Sequence, residues 1–253
     1  MGRYRPKLIY TLPTFQNPSG ASLSLPRRKR LLELAWRYQV PIVEDDLYSD
    51  LRYEGEPLPA LRALDQGGYV VYLSSVSKVL FPGLRIGWVV APRPFLRTLA
   101  LSKQAVDLHS GTLGQWLVDA FLREGHYAPH VEKVRKAYAA RRKAMLDALQ
   151  EIRPKGLKWR RPEGGMYLWC TFPSRLPPAR LLARAARERV SYLPGEACLT
   201  GEAAGEHPLR LNFSYPPLKQ IRPGIERLAR ALEAVSAEKG PRASAGNETR
   251  PIT

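Results

Sequence analysis

Residues 40–48, with the sequence VPIVEDDLY, decide the fold class of this chain. Their first four residues are apolar and rich in β-branched side chains, which predicts a buried strand followed by acidic residues at its carboxyl end. An amphipathic helix precedes this strand, with Ser24 as its cap and Pro26 in its first turn. Similar strand patterns occupy 8–12, 69–73 and 86–90. Because strands alternate with helices, we predict an α/β fold.

The second half of the chain has a different pattern. A long amphipathic helix is predicted at 129–152, and beyond Pro154 strand-like runs alternate with shorter helices. These later elements are predicted at 166–172, 179–188, 190–193, 209–213 and 220–235. We therefore predict two domains, 1–150 and 151–236, of which the second is smaller and of the α+β class. Residues 237–253 are polar and aperiodic, which predicts a disordered tail.

The composition is that of a globular protein with an excess of positive charge. Of 253 residues, 44% are hydrophobic and 25% are charged, which excludes a chain that is disordered throughout. Lys and Arg number 40 against 23 Asp and Glu, so the formal net charge is +17. A solvated, arginine-rich surface is the simplest interpretation. Binding to a nucleic acid, an acidic ligand or an acidic partner segment remains an alternative.

The lack of a targeting pattern and the small number of cysteines favour the cytoplasm. No apolar run approaches the ~20 residues that a membrane-spanning helix needs, and the first ten residues lack the apolar stretch of a signal peptide. The two cysteines, Cys170 and Cys198, are too few for a disulfide framework. We therefore expect a cytoplasmic protein without membrane association.

Polar residues that suit ligand chemistry follow several predicted strands. Ligands of open α/β sheets bind outside the carboxyl ends of the strands. The candidate residues at such ends are Asn17, Asp45, Tyr48, Ser75, Ser77, Lys78 and Arg85. Each has an ordinary alternative role when taken singly: Asn17 as a turn residue, Asp45 as a helix cap and Lys78 as a surface lysine.

Taken together, four motifs resemble the fold-type I aminotransferases that use pyridoxal 5′-phosphate (PLP). The motifs are 16–20 (QNPSG), 45–48 (DDLY), 75–78 (SVSK) with Arg85, and 209–214 (LRLNFS). Their order and spacing are similar to those of the branch that contains 2-aminoadipate and kynurenine aminotransferases. The resemblance implies a PLP-dependent transferase fold, in which the first domain supplies part of a mixed, largely parallel sheet. It also implies a homodimer that acts on amino acids and 2-oxo acids.

The resemblance assigns a role to each residue near the cofactor ring. Lys78 would form the Schiff base with PLP and act as general base in the proton shift. Asp45 would keep the pyridine nitrogen protonated, so that the ring remains an electron sink. Asn17 and Tyr48 would hydrogen-bond the phenolic oxygen.

The remaining assigned residues would bind anionic groups. Arg85, Ser75 and Ser77 suit the cofactor phosphate, because a guanidinium and hydroxyls form charge-assisted bonds with it. Arg210 would hold the α-carboxylate of the substrate, with Asn17 beside it. No metal site is expected, because the His126 and His130 pair lacks the acidic neighbour of a zinc motif.

Two other functions remain open. Residues 52–61 (RYEGEPLPAL) are similar to the aminotransferase-like effector domain of MocR-type transcription regulators, in which a separate N-terminal module binds DNA. A fragment without activity is the third possibility. Complete family members carry a large portion before the Asn-Pro loop, including several strands and part of the phosphate site. We therefore expect an exposed apolar face and weak PLP binding by the 253-residue chain alone.

Overall fold

In a computed structural model, the first half of the chain forms a mixed four-stranded sheet. The structure describes residues 4–173, 176–201 and 206–238. The strands are β1 (Ile9–Thr11), β2 (Ile42–Asp45), β3 (Val70–Ser75) and β4 (Gly87–Val90), in that spatial order. The first three strands are parallel and β4 is antiparallel to β3. This arrangement confirms the α/β class and the mixed sheet.

The helix before β2 extends further than the strand pattern indicated. Helix α1 (Leu25–Tyr38) begins after Ser24, but among the described residues the Ser24 side chain makes no capping hydrogen bond. Gln39 adopts a left-handed conformation, and the Val40 amide donates to the Ala35 carbonyl at 2.9 Å. Val40 therefore still belongs to the helix end. The strand consequently starts two residues later than predicted and includes Asp45.

One face of the first sheet packs on α1 and on α2 (Leu61–Leu64). Ile42 and Val70 are fully buried there against Ala35 and Leu61. Glu44 is buried on this face and accepts hydrogen bonds from the Leu61 and Arg62 amides, at 2.7 and 2.8 Å. Its carboxylate thus satisfies the free amides at the start of α2.

Three helices follow β4: α3 (Arg93–Asp107), α4 (Thr112–Arg123) and α5 (Tyr127–Ile152). In the described structure α3 buries none of its residues and α4 buries only Val118. Large apolar side chains on β4, α3 and α4 are consequently exposed: Trp88, Val90, Phe95, Leu99, Leu101, Val106, Leu113, Trp116, Leu117 and Leu122. The expected exposed apolar face is present at these elements.

The second half of the chain forms an antiparallel sheet. Its strands are β5 (Lys158–Trp159), β6 (Tyr167–Pro173), β7 (Leu193–Pro194) and β8 (Glu206–Asn212), in the spatial order β5-β6-β8-β7. Two helices, α6 (Pro178–Arg187) and α7 (Leu218–Ala237), accompany this sheet.

The strand predicted at 190–193 is wrong for its first three residues. Arg189 is left-handed, and the Val190 amide donates to the Ala185 carbonyl at 3.0 Å. These residues therefore complete the end of α6, and β7 begins only at Leu193.

The core of the second sheet extends into α5. Met145, Ala148 and Leu149, from the last turns of α5, are buried in the same cluster as β6, β8 and α7. The division of the chain at residue 150 remains a prediction. The tail predicted at 237–253 lies outside the described residues, except for Ala237, which ends α7, and Glu238.

A close backbone contact joins the two sheets. Phe15 is left-handed and fully buried, and it lies beneath Gly164 and Gly165 in the turn before β6. A Cβ atom on Gly164 would lie 2.3 Å from the Phe15 ring and 2.4 Å from the Leu51 carbonyl oxygen. Only glycine allows this approach. None of the helices within the described ranges has the length and apolarity needed to cross a lipid bilayer.

Candidate active site

Side-chain alternation along β2 separates the three consecutive acidic residues. Glu44 faces α2, whereas Asp45 faces the opposite side of the sheet and accepts a hydrogen bond from the Tyr10 hydroxyl at 2.5 Å. Asp46 accepts from the Tyr72 hydroxyl at 3.1 Å. Burial raises the pKa of both Glu44 and Asp46 above their usual values. Of the three carboxylates, Asp45 is thus the one that projects from the sheet face opposite Glu44.

A buried arginine holds the loop that carries Asn17. The Arg28 guanidinium is fully buried and donates to the carbonyls of Leu23, Pro13 and Pro59 and to the Thr14 hydroxyl, at 2.7–3.0 Å. These bonds attach the start of the loop to α1. The Asn17–Pro18 peptide bond in this loop is cis.

Four of the predicted site residues lie in one cluster between the two sheets. Arg210 on β8 donates to the Asn17 Oδ1 atom at 2.5 Å, and its guanidinium stacks on the Tyr167 ring at 4.0 Å. The Tyr48 ring meets Tyr167 edge-on at 6.0 Å. Burial, followed by the charge and hydrogen bond of Tyr167, raises the pKa of Tyr48, and Asp45 contributes in the same direction.

The turn between β3 and β4 positions the other predicted residues. The Ser75 hydroxyl lies 2.7 Å from that of Ser77 and donates to the Ile86 carbonyl at 2.7 Å. Lys78 ends the 3-10 turn Val76–Lys78 that follows β3. Arg85 is left-handed and donates to the Pro82 carbonyl at 3.0 Å. The two serine hydroxyls are thus fixed side by side at the end of β3.

The two groups of residues are connected through the sheet and its core. Asp45 pairs with Leu73 in register, two residues before Ser75. Val79, the neighbour of Lys78, packs in the same buried cluster as Tyr48. Asp45, Ser75 and Lys78 therefore lie at or just beyond the carboxyl ends of the adjacent strands β2 and β3. A contact of the Lys78 amine with Asp45 stays a prediction.

Sequence reasoning missed two contacts at this site. The stacking of Tyr167 under Arg210 and the hydrogen bond from Tyr10 to Asp45 were not predicted. Residue alternation gave a signal for Tyr10, because it pairs with Val43 and so shares a sheet face with Asp45. The two histidines discussed above bond elsewhere: His126 to Glu124, and His130 to the Val79 carbonyl.

The family of the chain follows from comparison with known proteins. The family model for aminotransferases of class I and II matches residues 4–228, which is more than half of the chain. The chain belongs to the class I and II aminotransferase family. Aromatic-amino-acid aminotransferase 1 of Thermococcus litoralis is 45% identical to this chain over 227 residues, which cover 90% of the chain and 54% of the relative.

A solved structure and a regulator are also similar to this chain. The alpha-aminoadipate aminotransferase LysN from Thermus thermophilus, in complex with N-(5′-phosphopyridoxyl)-L-leucine, matches with a TM-score of 0.88 and 39% identity. The match covers 93% of the chain and 61% of LysN, and it confirms the fold class. The HTH-type transcriptional regulator YisV of Bacillus subtilis is 37% identical over 90% of the chain and 46% of its own length. The chain thus spans about half the length of the curated relatives that it matches.

Proposed function

We propose that this chain supplies most of the active-site residues of a PLP-dependent aminotransferase, which transfers an amino group from an amino acid to a 2-oxo acid. The observation that supports this most strongly is the hydrogen bond between Arg210 and Asn17. These residues are 193 positions apart, come from different sheets, and are the two assigned to substrate binding by the family resemblance.

The substrate site has a free donor for a carboxylate. The Nε atom of Arg210 is buried and has no hydrogen-bond partner among the described residues. A buried donor without a partner is costly, and a carboxylate forms strong, directional bonds with a guanidinium. Tyr167 holds the guanidinium plane by stacking on it. We infer that Arg210 binds the substrate α-carboxylate next to Asn17.

The cofactor site has the chemical groups that PLP requires. The Asp45 carboxylate suits the pyridine nitrogen, and Tyr48 together with Asn17 suits the phenolic oxygen. The paired Ser75 and Ser77 hydroxyls, with Arg85 close in sequence, would hold the phosphate.

Lys78 is the residue to which we assign proton transfer. When bound, PLP supplies an electron sink for the amino-acid substrate. The Lys78 amine would then accept the proton from the substrate Cα atom and deliver it again. Arg210 would fix the direction of the Cα–H bond by holding the carboxylate.

A regulator is the second candidate function. The similarity to YisV favours it, since that protein is an HTH-type transcriptional regulator of which the chain covers 46%. In that case the site would bind PLP or an amine without turnover, and DNA binding would belong to a separate module. The higher identity of 45% to an aminotransferase favours the enzyme.

The homodimer is a proposal that rests on the family resemblance, and the cytoplasmic location is one that rests on the cysteines, which are too few for a disulfide framework. We propose a homodimer in the cytoplasm, with amino acids and 2-oxo acids as substrates. Sedimentation of the purified chain would measure the oligomeric state, and a monomer at all concentrations would contradict the homodimer.

Trapping the cofactor on its lysine tests the proposed function. The purified chain would be incubated with millimolar PLP, treated with borohydride and digested for mass spectrometry. We expect the phosphopyridoxyl label on Lys78, together with the absorbance band of the lysine-bound cofactor. Lys78→Ala should abolish both signals. Lys155→Ala, at an exposed lysine in the turn after α5, is the matched control.

The second part of the test separates enzyme from regulator. Addition of an amino acid should convert the bound cofactor to its amine form, and Arg210→Ala should impair this step for carboxylate substrates. A label spread over many surface lysines would refute the proposed site. A label on Lys78 without conversion of the cofactor, in a protein that includes any further segments, would favour the regulator.

A further inference from the structure

Tyr10 makes a contact that the proposed function does not use. Its hydroxyl donates to the Oδ2 atom of Asp45 at 2.5 Å. In the described part of the chain this is the only hydrogen bond to the Asp45 carboxylate. The Oδ1 atom consequently carries no bond from a described residue, although the carboxylate stands at the end of a strand in the candidate site.

The geometry of the sheet explains how Tyr10 reaches this carboxylate. Tyr10 pairs with Val43 across the parallel strands β1 and β2, and Asp45 follows two residues later on the same face. Two residues of a strand span about 6.6 Å, a distance that a tyrosine side chain leaning along the strand covers. The Tyr10 ring is exposed, and its hydroxyl is bound to the carboxylate.

We propose that Tyr10 is a positioning residue, which holds Asp45 as a fixed anion with one oxygen free for the pyridine nitrogen of the cofactor. This inference rests on the proposed function. A hydrogen bond donated to a carboxylate stabilises its charged form. The proton between Asp45 and the pyridine nitrogen would therefore stay on the nitrogen. In that state the ring withdraws electrons.

The protonation of Tyr10 suits this role at neutral pH. Partial burial of the side chain, together with the hydrogen bond and charge of Asp45, raises the pKa of Tyr10 to about 12. The phenol therefore remains a neutral donor over the working range of the protein. Burial is the largest cause that raises the pKa of Tyr48, so this second phenol of the candidate site is neutral as well.

The test compares two tyrosine-to-phenylalanine substitutions. Tyr10→Phe removes the donor to Asp45. Tyr69→Phe is the matched control, because the Tyr69 hydroxyl donates to the Gln39 side chain at the same 2.5 Å but does not contact Asp45. Both variants are compared with the wild type in PLP affinity and in the protonation of the pyridine nitrogen, and we expect Tyr69→Phe to leave both unchanged.

The affinity of each variant for PLP is measured first. We expect Tyr10→Phe to weaken PLP binding about tenfold. This is the lower end of the loss expected when a hydrogen bond to a charged group is removed, because the Tyr10 ring is exposed. With ¹⁵N-labelled PLP, the pyridine nitrogen should lose part of its protonated signal. Asp45→Asn should lower the Tyr10 pKa in an ultraviolet titration, which tests the same pair if Tyr10→Phe unfolds.

Each outcome separates the inference from the proposed function. If the wild type forms the Lys78 adduct while Tyr10→Phe matches Tyr69→Phe in PLP affinity and in pyridine-nitrogen protonation, the role of Tyr10 is refuted and the proposed function stands. Tighter PLP binding by Tyr10→Phe would also refute it, since Tyr10 would then compete with the ring nitrogen. If PLP does not label Lys78, the proposed function fails and the role of Tyr10 toward PLP fails with it.

Discussion

Gly164→Ala should destabilise the protein through the contact between its two sheets. The new Cβ atom would lie 2.3 Å from the Phe15 ring and 2.4 Å from the Leu51 carbonyl oxygen. The ring is fully buried and the carbonyl belongs to the backbone, so neither atom can swing aside. Overpacking of this kind costs about 1–3 kcal/mol, and two rigid neighbours place the expected loss at about 3 kcal/mol. For a chain of this length the unfolding midpoint would fall by about 6–12 °C.

Urea denaturation followed by circular dichroism measures this loss against a glycine with free space. A Cβ atom on Gly224, inside α7, would meet no described atom within 4 Å, so Gly224→Ala should stabilise by about 0.5–1 kcal/mol. Adding Phe15→Leu to Gly164→Ala should recover part of the loss, because it removes the clash with the ring. The recovery should be incomplete, since the Leu51 carbonyl remains in place. An unfolding free energy of Gly164→Ala within about 0.5 kcal/mol of the wild type would refute the packing described for this junction.

Three further predictions concern stability and reactivity. Arg28→Met removes four hydrogen bonds to buried acceptors and should cost about 3–5 kcal/mol in urea denaturation; a loss below about 1 kcal/mol would contradict its role in the loop. Hydrogen bonds from Arg161 and then Arg142 lower the pKa of Glu54 from 4.5 to about 2, so its stabilisation is present above pH 4.5 and is lost as the pH falls toward 2. Glu54→Gln should make the unfolding free energy depend less on pH over that range. An unchanged dependence on pH would count against the ion pair. Burial raises the pKa of the Cys170 thiol to about 12, whereas Cys198 is exposed. A thiol reagent should therefore modify one cysteine in the native protein and two in urea. Rapid modification of both cysteines in the native protein would contradict the burial of Cys170.

Much of the fold was predictable because it depends on local patterns. Short apolar runs rich in β-branched residues, at 40–43 and 69–73, identified buried strands, and the helical period identified α1 and α5. The errors lie at element boundaries. Val40 and Val190 are β-branched and apolar, yet each donates its amide to the end of the preceding helix. A left-handed residue before each of them decides this, and neither Gln39 nor Arg189 is a residue type that announces such a conformation.

The candidate site was predictable as a list of residues and only partly as an arrangement. The motifs identified Asn17, Asp45, Tyr48 and Arg210, which the structure gathers in one cluster. The motif singled out Asp45 but did not predict the contacts of its neighbours Glu44 and Asp46. Glu44 satisfies the start of α2, and Asp46 bonds Tyr72, because the strand directs alternate side chains to opposite faces.

By itself, the sequence determined which residues are candidates for the chemistry and which segments form strands and helices, since both depend on residue type and on short spacing. Only the tertiary structure decided that Arg210 reaches Asn17, that Tyr10 reaches Asp45, and that Phe15 lies beneath Gly164. These pairs are separated by 35 to 193 residues. Their contacts depend on strand register and on how the two sheets pack, and no local propensity encodes either one.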